Sequence, residues 1–243
     1  MRKAGYPSAR SAVVGPVRYN RLREAVADPG GSRDDVLSEL GLSGLRRLVL
    51  VTMSSNRVDS MALLTAVASV LPDLPEHVTL LFRSHYHCRL EDEVRRLFAP
   101  FPAVSWRLVK VDADLHRYIR ASEAVVLIDS TTGLEAIALG RPPVVFDTRT
   151  VMNIGPLGDL RDAALFCHMP LQLRGTIEKA LRPDVRAYLA SAWPAALART
   201  FHSLDGRADQ RFVEFLRAYA LLPERPDHDA RRAAMLADRA CET

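Results

Sequence analysis

From residue 48 onward the chain alternates short, unbroken apolar runs with stretches of helical periodicity. The runs at 48–52, 78–83, 124–128 and 143–147 predict strands, that at 124–128 unbroken as in a parallel strand covered on both faces, and 104–109, which alternates as VSWRLV, predicts another. A weaker run at 163–167 predicts a sixth. Between them lie helical patterns at 58–71 and 90–98, a helix capped by Asp112 or Asp114 that runs to Ala121, and a short helix at 133–139. Strand and helix alternating at this spacing predict βαβ units, and hence an α/β fold with one doubly wound parallel sheet of five to six strands.

The C-terminal third is helical: 170–181, then 185–200 broken or bent at Pro194, then 206–222 with Phe212, Phe215, Leu216 and Tyr219 on one stripe. After Pro223 the tail is charged and small, and fraying is expected there. Ahead of the first core strand, residues 12–14 are apolar and end at Gly15-Pro16. A polar helical pattern spans 17–27, a turn 28–31, and Ser32 has the chemistry of an N-cap for a helix at 33–40 that stops at Gly41. The divisions expected are a lead-in at 1–44, the α/β domain at 45–205, and a C-terminal helix and tail at 206–243.

The stretch 125–140, VVLIDSTTGLEAIALG, reads as strand, hydroxyl-rich turn and short helix. Such a turn presents free amides and the positive end of a helix dipole, a ready place for phosphate. Ser130, Thr131 and Thr132 add hydroxyls, and Gly133 lets a ligand approach the backbone. A second reading stands beside this one: Thr132 and Glu135 have the spacing of a capping box, which needs no ligand. The local pattern leaves the two even.

In an open sheet of strand order 3-2-1-4-5-6, ligands bind beyond the carboxyl ends of the strands where the order reverses. The loops delivered there are Met53-Ser54-Ser55-Asn56 and 129–133, with RSHYH at the end of the second strand next door. Alternation places Arg83, His85 and His87 on one side if that strand persists. Arg83 can grip a phosphate, and His85 can give it a hydrogen bond or a proton. Alternatively, Arg83 pairs with a strand-end carboxylate and the histidines are solvated. His85, His87 and Cys88 are competent zinc ligands, but no fourth ligand sits at suitable spacing, so no metal is expected. No GxGxxG follows the first strand, and no GxxxxGK[ST] or GxSxG occurs, which argues against NAD binding, P-loop chemistry and an esterase-type nucleophile.

Composition changes this picture little. Over 243 residues, 48% are hydrophobic and 26% charged, enough for a full core. The net charge of +4 is small and its components interspersed, so a nucleic-acid surface is not expected. All but three of the 33 basic residues are Arg, which suits an anionic small molecule. Three scattered cysteines, Cys88, Cys167 and Cys241, fit a reducing compartment. With neither a signal-peptide core nor a membrane-length apolar run, a cytoplasmic location is expected.

Four motifs together, G-P-x-R-Y-N near the start, R-x-H at 83–85, D-S-T-T-G-L-E-A-x-A-L-G-R-P from Asp129, and D-G-R-A at 205–208, resemble the C-terminal half of GT-B glycosyltransferases. The nearest patterns are those of bacterial capsule and surface-polysaccharide transferases, CDP-glycerol glycerophosphotransferases and non-hydrolysing UDP-N-acetylglucosamine 2-epimerases. The resemblance covers roughly residues 12–220. It implies a Rossmann-like domain that binds a nucleotide-linked donor as substrate, with no further cofactor. Ser54, Ser55 and Asn56 are expected at the crevice from the strand order above, not from the resemblance. Ser130, Thr131, Thr132 and Gly133 would hold the diphosphate, Glu135 the ribose hydroxyls, and Arg83 with His85 the phosphates or leaving group. Tyr86 stands where the family has Pro. The resemblance also implies that the acceptor-side domain lies outside this sequence, so activity would need a second subunit or another copy in its place, or the sequence would be a fragment of a longer enzyme. A non-catalytic nucleotide-sugar-binding module and an epimerase relative are the alternatives.

Overall fold

The computed structural model describes residues 12–27, 33–148, 155–201 and 203–218. The Ser32 cap, the turn at 28–31, Tyr219, Cys241 and the tail beyond Pro223 lie outside the described residues. The chain divides into two compact units, residues 21–203 and a second formed by the two ends, 1–20 with 204–243.

The larger unit is built on six parallel strands: β1 Arg47–Thr52, β2 Val78–Arg83, β3 Ser105–Leu108, β4 Ala124–Leu127, β5 Pro143–Phe146 and β6 Leu165–Cys167. Their order is β3-β2-β1-β4-β5-β6, so the sheet reverses between β1 and β4. Leu50 lies opposite Leu81 on one side and Val125 on the other. Leu48, Val49, Leu50 and Val51 are all fully buried, as a central strand covered on both faces requires.

The first helix, α1 Asn20–Ala27, falls almost wholly in this unit, and Arg120 Nη1 donates to its Ala25 carbonyl at 2.7 Å. Side-chain alternation sorts the other helices. Val49, Val51, Leu80, Phe82 and Val126 share one core with α3 Arg57–Val70, α4 Glu91–Phe98 and α7 Pro170–Ala180, where Phe82 and Phe98 sit with ring centroids 4.4 Å apart. On the opposite face α2 Arg33–Glu39 packs on α5 Leu115–Ala121, α5 on α6 Thr132–Ala138, and α6 on α8 Pro183–Phe201. In such a sheet every connecting helix starts at the strands' carboxyl edge, so the first turns of α5 and α6 meet there.

Helix ends follow local chemistry. Asn56 Oδ1 accepts the Val58 amide to open α3, and Asp114 Oδ1 accepts the His116 amide to open α5. Gly41 and Gly140 take left-handed backbone (φ 65° and 73°) and stop α2 and α6, with closing bonds from Leu42 N to Leu37 O and from Arg141 N to Ala136 O, both 2.8 Å. Of the break or bend expected at Pro194, the break does not occur: α8 is one continuous helix through Pro194, and Trp193 beside it is buried with Nε1 donating to Ala163 O at 3.0 Å. Part of the arginine excess is structural. Arg47, Arg107 and Arg141 donate to the terminal carbonyls of Leu181, Leu40 and Arg120, where helix dipoles are negative.

In the smaller unit a 3-10 turn spans Val17–Tyr19, and the C-terminal helix α9 spans Ala208–Ala218. Arg211 ties this unit together, donating to Val14 O at 2.9 Å and forking onto both Asp205 oxygens at 2.7 and 3.0 Å.

Candidate functional site

The carboxyl ends of β1 and β2 bring two unsatisfied polar groups side by side. Thr52 and Arg83 are register partners. Alternation turns both toward the face carrying α5 and α6, since Val51 and Phe82 face the other way. Thr52 Oγ1 and Arg83 Nε are both buried without a hydrogen-bond partner. Such orphans demand an explanation, because leaving a buried polar atom unpaired costs about 1–3 kcal/mol. Arg83 is anchored through Nη2 to Val111 O at 2.6 Å, in the loop that leads to α5. Burial pushes its guanidinium below the usual arginine value, while Glu135, Asp112 and Asp114 pull it back up.

Glu135 lies within electrostatic reach of that guanidinium. Its carboxylate is buried, with the residue only 8% exposed, and does not close a capping box. Instead Oε2 lies 3.2 Å from His116 Nε2, in the first turn of α5. Of the two sequence readings of Glu135, the local one therefore fails, and the carboxylate reaches across to a neighbouring helix. His116 was not among the expected site residues. It also lines an open cleft of about 830 Å³ with Arg21, Glu24, Asp112, Asp114 and Arg117.

The turn before α6 differs from expectation. Its amides are not bare: Thr132 N donates to Ser130 Oγ (3.2 Å), Gly133 N to Ser130 O (3.2 Å), and Leu134 N and Glu135 N to Thr131 O (3.0 and 3.4 Å). Ser130 Oγ also donates to Thr132 Oγ1 at 2.9 Å, so two of the three hydroxyls satisfy each other. Gly133 does not make room for a ligand here. A Cβ on it would collide with Leu157 Cδ1 and lie 3.2 Å from Leu157 Cγ and 3.4 Å from Leu127 Cδ2. The missing side chain admits Leu157.

The β1 loop is likewise occupied by its own helix start. Ser54 Oγ accepts the Asn56 amide at 3.1 Å, Ser54 O accepts Ser60 Oγ at 3.0 Å, and Asn56 caps α3. Ser55 is exposed. After Arg83 the strand does not persist, so alternation does not carry on to His85 and His87. The chain turns back, with Cys88 N donating to His85 O at 2.9 Å. His85 Nδ1 accepts the His87 amide at 3.2 Å, which leaves the proton of a neutral ring on Nε2. Burial, then His87 and Arg83, hold His85 below its ordinary pKa. Tyr86, at 64% exposure, lies against His87 with ring centroids 3.8 Å apart and the rings tilted by 38°. Among the described residues no group of three or more His, Cys, Asp or Glu is placed to hold a metal, and no helix is long and apolar enough to cross a membrane.

No protein-family model and no curated protein sequence matches the chain. Solved structures do. UDP-GlcNAc 2-epimerase from Neisseria meningitidis bound to UDP-GlcNAc superimposes with a TM-score of 0.65 at 14% identity, over 89% of this chain and 58% of that one. The wall teichoic acid polymerase TagF with CDPG gives 0.54 at 17% identity, over 82% and 48%. WaaG, a glycosyltransferase involved in lipopolysaccharide biosynthesis, gives 0.57 at 15% identity, over 77% and 52%. The chain spans about half the length of each. With the single parallel sheet, its order and its reversal between β1 and β4, these likenesses fix the architecture: the chain has the Rossmann-like α/β fold of one half of a GT-B protein.

Proposed function

We propose that the chain binds a nucleotide-diphosphate-linked donor in the crevice at the β1/β4 reversal, as the donor-side half of a glycosyltransferase-like protein of bacterial surface-polysaccharide synthesis. The observation that carries this reading is Glu135: a buried carboxylate, turned away from its own helix and held by His116 within reach of Arg83, whose Nε and the neighbouring Thr52 hydroxyl are unpartnered. A carboxylate that only accepts suits the hydroxyls of a ribose, and a guanidinium suits a phosphate. The fold shared with a UDP-GlcNAc-bound epimerase and with TagF supports the ligand class.

In this reading Arg83 meets the diphosphate. As the bond from the transferred group to the phosphate oxygen breaks, charge grows on the departing nucleotide, and a fixed cation stabilises it without reorganising. His85, kept neutral near pH 7, offers Nε2–H as a hydrogen-bond donor to the same oxygens. The acceptor hydroxyl bonds to the transferred group and gives its proton to a base on the acceptor side. Because the amides before α6 are closed, this reading gives the diphosphate to Arg83 rather than to that turn.

A thermal-shift panel with UDP, CDP, GDP and ADP tests the proposal. Ligand at a hundred times its Kd should stabilise the fold by about 2.7 kcal/mol. A melting temperature unmoved by millimolar concentrations of all four would remove the donor site.

A further inference from the structure

We propose that His116 is the positioning residue that makes this crevice select ribonucleotides over their deoxy counterparts, an inference that rests on the donor-site reading above. Glu135 Oε2 is engaged by His116 Nε2 at 3.2 Å, which fixes the plane of the carboxylate and leaves Oε1 to accept from a ligand. His116 is itself held, its backbone amide bonded to Asp114 Oδ1 at 3.0 Å at the opening of α5. The two residues sit on neighbouring helices of one face, so their separation is set by packing of α5 on α6 rather than by a flexible loop.

The alternative partner for Glu135 is Arg83, which lies within its electrostatic reach but hydrogen-bonds Val111 O instead. His116 thus does two things. It aims the free carboxylate oxygen, and it keeps the carboxylate from collapsing onto the guanidinium needed for phosphate. A ribose hydroxyl satisfies the aimed oxygen. A deoxy sugar leaves a buried charged acceptor unpaired, which is how a built hydrogen-bonding site rejects an analogue lacking the group.

The test is isothermal titration of the whole chain with UDP, CDP, GDP and ADP and, for those that bind, their 2′-deoxy and 3′-deoxy forms. Wild type should favour a ribonucleotide over at least one deoxy form by about tenfold. His116→Phe, which keeps a ring but no donor, should lose most of that preference while still binding the deoxy form. His116→Gln, whose amide replaces Nε2–H, should recover it. In a Glu135→Gln background the His116 substitutions should change nothing further. Should His116→Phe fail to fold, His116→Ala takes its place. A preference that survives loss of the His116 donor overturns the inference and leaves the donor site standing. Absence of nucleotide binding by wild type overturns both.

Discussion

Leu157 occupies the space that a side chain on Gly133 would need, and this contact governs the front of α6. Leu157 is almost fully buried, so the glycine is a packing requirement of the fold. Gly133→Ala gains helix propensity but overpacks, and a net loss of about 1 kcal/mol is expected. Leu157→Ala should cost about 2–5 kcal/mol. Because the second change relieves the clash of the first, the double variant should lose less than the sum in urea denaturation. Strict additivity would mean the two residues do not meet.

Ser130 replaces an external ligand at the Thr132 amide. Removing its hydroxyl with Ser130→Ala should cost about 1 kcal/mol and speed hydrogen exchange at Thr132 N. An unchanged exchange rate would show that the serine does not cap this turn.

His85 gives the pH dependence a sign. Its pKa is depressed in the fold from an ordinary 6.5, so below pH 6.5 the unfolded chain binds a proton that the folded chain does not. The contribution is fully present above that pH and is lost as the pH falls toward the folded value. His85→Gln should therefore lose less stability than wild type between about pH 7.5 and 5.5, as read from urea midpoints. An equal loss in both proteins would show that His85 titrates normally.

The strands were legible because buried parallel strands are unbroken apolar runs, as Leu48–Val51 and Ala124–Leu127 are, and Gly140 marks the stop of α6; the reversal point followed from taking the usual strand order, which the sheet has. The partner of Glu135 was not. His116 lies 19 residues away, and nothing local distinguishes it from a solvated residue after the Asp114 cap. The signal that could have found it is topological: once the order 3-2-1-4 is assumed, the first turns of α5 and α6 become neighbours, and their polar residues must be read together. The closed turn was missed for another reason. A hydroxyl-rich sequence serves an external anion and its own amides equally well, and here Ser130 bonds its own turn. Pro194 reads as a break or a bend, and of these the break is absent, with Trp193 packed beside it in a continuous helix.

The donor site stands or falls with Glu135, and equilibrium titration of the preferred nucleoside diphosphate against wild type and Glu135→Gln measures it most directly. The exchange keeps the size and shape of the side chain while removing its charge. The melting temperature should therefore hold within a few degrees while affinity falls about tenfold or more, the loss expected for a hydrogen bond to a charged group. Equal affinity in the two proteins, with only the melting temperature lowered, would make Glu135 and His116 a structural pair and contradict the donor site.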